Sequence, residues 1–193
     1  GAVLDHYGAD NVTIIGVSLG GELCMRAAAM EPRIRRVVSW SVLPSIYGAL
    51  MADKPAEIRA KLEHWLDENN RDAILDLYAG LAEREPLFRW SIQHSNYAYG
   101  TSDVYEYLQK ARAFTIEPVA ERITQDVLLL SAREDLLVDF ALYKQEIDLL
   151  KNTRSLEFAA PGRALNGQAH CNMGNTKYML DLILNWNDRM LER

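Results

Sequence analysis

The hexapeptide Gly16-Val17-Ser18-Leu19-Gly20-Gly21 joins two segments of opposite backbone preference. Ahead of it, residues 11–17 (Asn-Val-Thr-Ile-Ile-Gly-Val) form a β-branched run without helical periodicity, the pattern of a buried parallel strand. Behind it, Glu22 to Met30 is rich in Ala, Met and Leu and stops before Pro32, the pattern of a helix. A strand that turns directly into a helix strains the residue at the bend and projects its side chain from the carboxyl end of the sheet. Here that residue is Ser18. Gly16 and Gly20 are expected to be required, since a Cβ at either would collide where strand and helix approach. The helix N-terminus places a partial positive field beneath Ser18, and the Leu19 N–H is expected to face an oxyanion forming there.

A serine hydroxyl needs a base to become a nucleophile, and the base needs an acid to orient it. In a strand–turn–helix site the chain order is Ser, then Asp or Glu after a later strand, then His. Residues 34–43 and 126–131 read as further strands and 154–159 as a weaker one. Helical patterns at 140–150 and 176–191 alternate with them, which predicts a parallel sheet with helices on both faces. Asp135 lies in the polar loop after the 126–131 strand, and His170 lies between the last strand and the closing helix. Both sit at carboxyl ends of strands, where open parallel sheets build their sites. Glu134 and Asp139 flank Asp135 as alternative acids. His6 precedes the first strand, and His64 and His94 fall in a helical insertion, so His170 has the required order. Cys171 beside it reads as a small buried packing residue.

Residues 45–122 break the alternation with helical patterns over 55–68, 71–83 and 104–113. So long a stretch exceeds one crossover and predicts a helical cap inserted into a core of 1–44 and 123–193. Trp90, Tyr97 and Tyr99 cluster in this insertion and are candidate substrate-binding residues.

The chain has 193 residues, 49% of them hydrophobic and 25% charged, enough to bury one sizeable core. A net charge of −6 argues against a nucleic-acid partner, which a basic face would collect. No apolar run approaches the roughly 20 residues that cross a bilayer, and the first residues do not read as a secretory signal. Two cysteines, Cys24 and Cys171, are too few for a disulfide framework, so the expected compartment is the cytoplasm. With no C-x-x-C pair, H-E-x-x-H or Asp-rich loop, neither metal nor cofactor is expected, and the expected partner is a small-molecule substrate.

The bend at 16–21, the loop through Asp135 and the run Gln168-Ala169-His170-Cys171-Asn172-Met173-Gly174-Asn175 together resemble the C-terminal half of an α/β-hydrolase. The last run is similar to the H-C-x-x-G-N region of capped serine hydrolases of the dipeptidyl-aminopeptidase/acylaminoacyl-peptidase group, near 2,6-dihydroxypseudooxynicotine hydrolases and fermentation–respiration switch proteins. The resemblance implies an α/β-hydrolase fold, a mostly parallel sheet flanked by helices with an inserted helical cap. It implies Ser18 as nucleophile, His170 as general base and then acid, Asp135 as orienting acid and Leu19 as one oxyanion donor. The implied activity is ester or amide hydrolysis through an acyl-enzyme. A C–C bond hydrolase of the same fold and a catalytically silent binding module are the alternatives. The chain departs from the pattern at Ser131-Ala132 and at Asp126, away from the three site residues. In such a fold the bend follows the fifth strand, whereas 17 residues precede Ser18 here. An N-terminal half that completes the sheet and supplies the second oxyanion donor is therefore expected, and a homodimer is also compatible.

Overall fold

The computed structural model describes residues 1–52 and 54–193. Helix α1 (Ala2–Tyr7) leads into strand β1 (Val12–Val17), helix α2 (Leu19–Met30) and strand β2 (Ile34–Trp40). Helices α3 (Ile46–Ala52), α4 (Ala56–Asp67), α5 (Arg71–Arg84), α6 (Pro86–Tyr99) and α7 (Val104–Ala111) follow. A 3-10 turn at Glu117–Arg122 then returns the chain to β3 (Asp126–Leu130), α8 (Leu142–Leu149), β4 (Ser155–Ala159) and the closing helix α9 (Thr176–Leu191).

The four strands pair in parallel in the order β1-β2-β3-β4. Their register aligns Val17, Trp40, Leu130 and Ala159 in one row, so the segments that leave the four strands emerge along a common edge. Side chains alternate between the faces with the two-residue period of a strand. Val37, Val127 and Leu129 pack with Met25 and Ala28 of α2, whereas Val38, Leu128 and Leu130 pack with Met179, Ile183 and Trp186 of α9. Both faces are buried at the centre of β2 and β3, which is why Val37-Val38 and Val127–Leu130 are continuous apolar runs instead of alternating with polar residues. Helix α9 serves one face because Met179, Ile183, Trp186 and Met190 recur every three or four residues.

Strand β2 ends at Trp40, three residues short of the 34–43 expected from sequence. Ser41, Val42 and Leu43 are buried like strand residues, but the Ser41 carbonyl accepts from Ser39 Oγ (3.0 Å), and beyond Trp40 a single bond, from Val42 N–H to the Leu130 carbonyl (3.1 Å), continues toward β3.

The chain divides into two compact units, one of residues 1–49 with 115–193 and one of residues 50–114. The bridge between Ser45 and Thr115, and the bond from Ile116 N–H to the Pro44 carbonyl (2.9 Å), hold both flanks of the 45–122 stretch in the sheet unit. The second unit is helical and buries Leu62, Leu66, Ile74, Tyr78, Tyr107 and Leu108. Side chains of Asn70 and Asp103 cap α5 and α7 by accepting from Ala73 N–H (3.3 Å) and Glu106 N–H (3.0 Å). Among the described residues, no helix is long and apolar enough to cross a membrane.

Candidate active site

Ser18 sits between β1 and α2 with φ 56° and ψ −121°, a conformation that costs a side-chain-bearing residue about 1–3 kcal/mol. Two backbone bonds hold the bend: Ser18 N–H donates to the Trp40 carbonyl (2.6 Å), and Gly21 N–H donates to the Ser18 carbonyl (2.8 Å). Close approach explains the glycines. A Cβ on Gly16 would overlap the Gly20 carbonyl and lie 2.8 Å from Cys24 Sγ. A Cβ on Gly21 would overlap the Ser41 carbonyl and lie 2.9 Å from Ser39 Oγ. A Cβ on Gly20 would meet nothing within 4 Å, so the expectation that Gly20 is sterically required is corrected. The second tight contact belongs to Gly21, where α2 faces the chain leaving β2. Leu19 opens α2, and its N–H is among the first-turn donors that lack an intrahelical acceptor.

The structure brings Ser18, His170 and Asp135 into one hydrogen-bonded chain. Ser18 Oγ lies 2.9 Å from His170 Nε2, and His170 Nδ1 lies 2.8 Å from Asp135 Oδ2. Asp135 Oδ1 accepts from the backbone N–H groups of Leu137 (2.8 Å) and Val138 (3.1 Å). Burial raises the Asp135 pKa, but these bonds and the imidazole outweigh it and leave the carboxyl below its usual range. An ionised carboxylate only accepts, so Nδ1 carries a proton toward Asp135, and in the neutral ring Nε2 accepts from Ser18. The Asp135 hydrogen bond foremost, and Cys171 second, raise the His170 pKa above its ordinary value. The Asp135 side chain is only 2% exposed and that of His170 25%, so the chain runs from a dry anchor to an accessible base.

The alternative acids are engaged elsewhere. Glu134 pairs with Arg163, while Asp139 accepts from Ala141 N–H (2.8 Å) ahead of α8. Glu134 N–H also donates to the Gln168 carbonyl (2.9 Å), which ties the acid loop to the histidine loop. His6 lies on α1 against Tyr7, and His64 and His94 lie on α4 and α6. Trp90, Tyr97 and Tyr99 belong to the helical unit. Trp90 stacks on His94, Tyr97 is exposed, and Tyr99 packs edge-on against Tyr107 and Phe114. Cys171 and Cys24 are buried free thiols. Among the described residues, no group of three or more His, Cys, Asp or Glu is placed to hold a metal ion.

Two features escaped sequence reasoning. The first is Asn172, which is 1% exposed. Its Nδ2 donates to the carbonyls of Ser131 (3.1 Å) and Gly167 (2.5 Å), and its Oδ1 accepts from the Trp40 indole N–H (3.1 Å). Cys171 and Asn172 both adopt left-handed backbone, φ 50° and 52°, so the turn after His170 is tight and Asn172 pins it to the ends of β2 and β3. The available signal was an Asn, which tolerates this conformation, two residues after the candidate base. The second feature is a pair of carboxyls that the sheet face encloses behind the bend. Glu22 and Glu146 are both fully buried. Glu22 accepts from Arg26 (3.2 Å), yet burial still raises its pKa. Burial foremost, together with the charge of Glu22, pushes Glu146 up to about 8 against partial compensation from Leu43 and Ser39.

The alpha/beta hydrolase fold family matches residues 2–166 of the chain. Among curated proteins, the hydrolase LUC6 of a Fusarium species is 26% identical over 117 residues, 60% of this chain and 27% of that protein. The hydrolase acrC of Aspergillus aculeatus is 28% identical over 119 residues, 55% of this chain and 27% of that protein. The chain thus spans about a quarter of the length of these relatives. Among solved structures, the alpha/beta hydrolase GrgF from Penicillium sp. sh18 has a TM-score of 0.62 at 13% identity, covering 100% of this chain and 70% of that one. The 2,6-dihydroxy-pseudo-oxynicotine hydrolase has a TM-score of 0.57 at 17% identity, covering 88% and 39%. At these identities the two structures share the fold.

Proposed function

The chain belongs to the alpha/beta hydrolase fold family, and from that premise we propose that it acts as a serine hydrolase on an ester or amide through a covalent acyl-enzyme. Ser18 Oγ attacks the substrate carbonyl carbon while His170 Nε2 takes the hydroxyl proton. The carbonyl electron pair moves to oxygen, where the Leu19 N–H and the amino end of α2 stabilise it. Collapse of this intermediate breaks the bond to the leaving alcohol or amine, which receives the proton from His170. Water, deprotonated by His170, then attacks the acyl-enzyme and releases the acid, restoring Ser18. Asp135 holds the imidazole in the productive tautomer throughout and stabilises the imidazolium.

The observation that supports this reading most is the continuous 2.9 and 2.8 Å relay from a strained Ser18 through His170 to a buried Asp135. A carboxylic-ester or acyl-peptidase-like subtype fits the same relay. Labelling with a fluorophosphonate tests it, followed by turnover of matched p-nitrophenyl ester and anilide substrates. Wild-type protein is expected to label at Ser18, and Ser18→Ala is expected to lose labelling while keeping its circular dichroism. Labelling that survives the substitution, or a folded wild type that neither labels nor turns over either substrate, overturns the proposal.

A further inference from the structure

The amino ends of the strands, opposite the edge that carries Ser18, hold a concentration of guanidinium groups in a chain of net charge −6. Arg35 and Arg36 lie near the start of β2, Arg122 ends the 3-10 turn before β3, and Arg154 precedes β4. Two cavities of about 300 and 170 Å³ open here, and Arg35 and Arg154 line both. The larger has an apolar wall that includes Ala28, Ala29 and Ile34, faced by Arg35, Arg122 and Arg154.

Neutralisation of these charges is incomplete. The fully buried Asp126 pairs with Arg154 and also accepts from Ser155 Oγ (2.7 Å). Among the described residues, neither the Arg35 nor the Arg122 side chain has a hydrogen-bond or ion-pair partner. Arg36, only 4% exposed, donates to Thr13 Oγ1 (2.7 Å), Asn11 Oδ1 (2.9 Å) and the Asn11 carbonyl (2.6 Å), all neutral acceptors. Arg36 also feels the charge of Asp126, so the charge left unmatched is that of the exposed Arg35 and Arg122. The carbonyl end of α2 supplies about half a negative charge and Asp126 one. Against three guanidinium groups around the larger cavity, more than one positive charge is left unmatched.

We propose that this cavity binds a small organic phosphate, with the phosphate between Arg35 and Arg122 and the carbon body against the Ala28, Ala29 and Ile34 wall. A dianion matches the unmatched charge better than a carboxylate does, and the planar forks of two arginines suit phosphate oxygens. The cavity volume is at the small end of the range for ligand sites. At roughly 3.3 Å per residue, the length of β2 separates this cavity from the Ser18 edge by about 20 Å, so the site is distinct from the relay.

Isothermal titration of the chain with phenyl phosphate, at ionic strength matched with potassium chloride, tests the site. One saturable site per chain is expected. Arg35→Ala with Arg122→Ala is expected to weaken it at least about tenfold, and Arg89→Ala on α6 to leave it unchanged. Both arginines are exposed, so the double variant is expected to keep the wild-type circular dichroism and unfolding midpoint. Vesicles containing phosphatidic acid, run in parallel, separate a free phosphate ester from a lipid headgroup. Vesicle capture without any response to phenyl phosphate overturns the small-molecule assignment. A signal that potassium chloride reproduces, or an affinity indifferent to the double substitution, overturns the site itself.

Discussion

Replacing Glu146 with Gln removes one acid from the closed space beside Glu22 while keeping its shape. An acid that binds its proton more tightly folded than unfolded favours folding at low pH and loses that advantage as pH rises. For Glu146 the loss begins near the ordinary value of 4.5 and is complete near 8. At about 1.4 kcal/mol per tenfold change in proton affinity, the whole interval corresponds to about 5 kcal/mol, and the part reached by pH 7 to about 3 kcal/mol. That is a large share of the 5–15 kcal/mol net stability of a typical domain. Glu146→Gln is therefore expected to stabilise the protein at neutral and alkaline pH. Urea unfolding followed by tryptophan fluorescence at pH 5 to 9 measures the effect. The gap between variant and wild type should be small at pH 5, about 3 kcal/mol at pH 7 and widest above pH 8. Glu22, whose own pKa is raised by burial, loses the neighbouring charge of Glu146 in the variant, so relief of that repulsion adds to the gap wherever Glu146 is ionised in the wild type. Parallel stability curves, or a variant less stable than wild type at pH 8, would refute the assignment of a proton to Glu146.

The raised His170 pKa places the acid limb of the kcat/KM profile above the ordinary 6.5, because the base must be neutral to accept from Ser18. Asp135→Asn should move that limb downward and reduce kcat by about 10⁴-fold, and an unshifted limb would count against the relay. Gly16→Ala should prevent stable folding, whereas Gly20→Ala should change unfolding free energy by less than about 1 kcal/mol, a contrast that thermal melts of the two variants resolve. Asn172→Ala leaves a buried indole N–H and two carbonyls without their partner, with an expected cost of about 2–4 kcal/mol in urea unfolding. A loss below 1 kcal/mol would mean the histidine loop does not depend on it.

Much of the site was legible because its signals are local. A β-branched run, a bend and a small-residue helix occupy 20 consecutive residues, 11 to 30, and their backbone preferences alone place Ser18 at a strand–helix junction. Asp135 and His170 followed from chain order, since each lies in the segment that follows a strand whose carboxyl end reaches the same edge. Legibility stopped where a residue's role depends on what faces it. Gly20 and Gly21 are indistinguishable as letters, and only the carbonyl of Ser41 separates them. Val42 and Leu43 look like strand because they are buried, yet the strand ends at Trp40 and only Val42 keeps a bond to the end of β3.

Local chemistry thus dictated the strained bend at Ser18 and the alternation of strands and helices. Backbone preference and period act over a few residues and need no distant partner. Which acid among Glu134, Asp135 and Asp139 meets the imidazole was decided by packing across 35 residues of sequence. Packing likewise closed Glu22 and Glu146 into one dry space and gathered Arg35, Arg122 and Arg154 around one cavity. Desolvation and charge compensation are properties of a neighbourhood, and a neighbourhood exists only once the chain has folded.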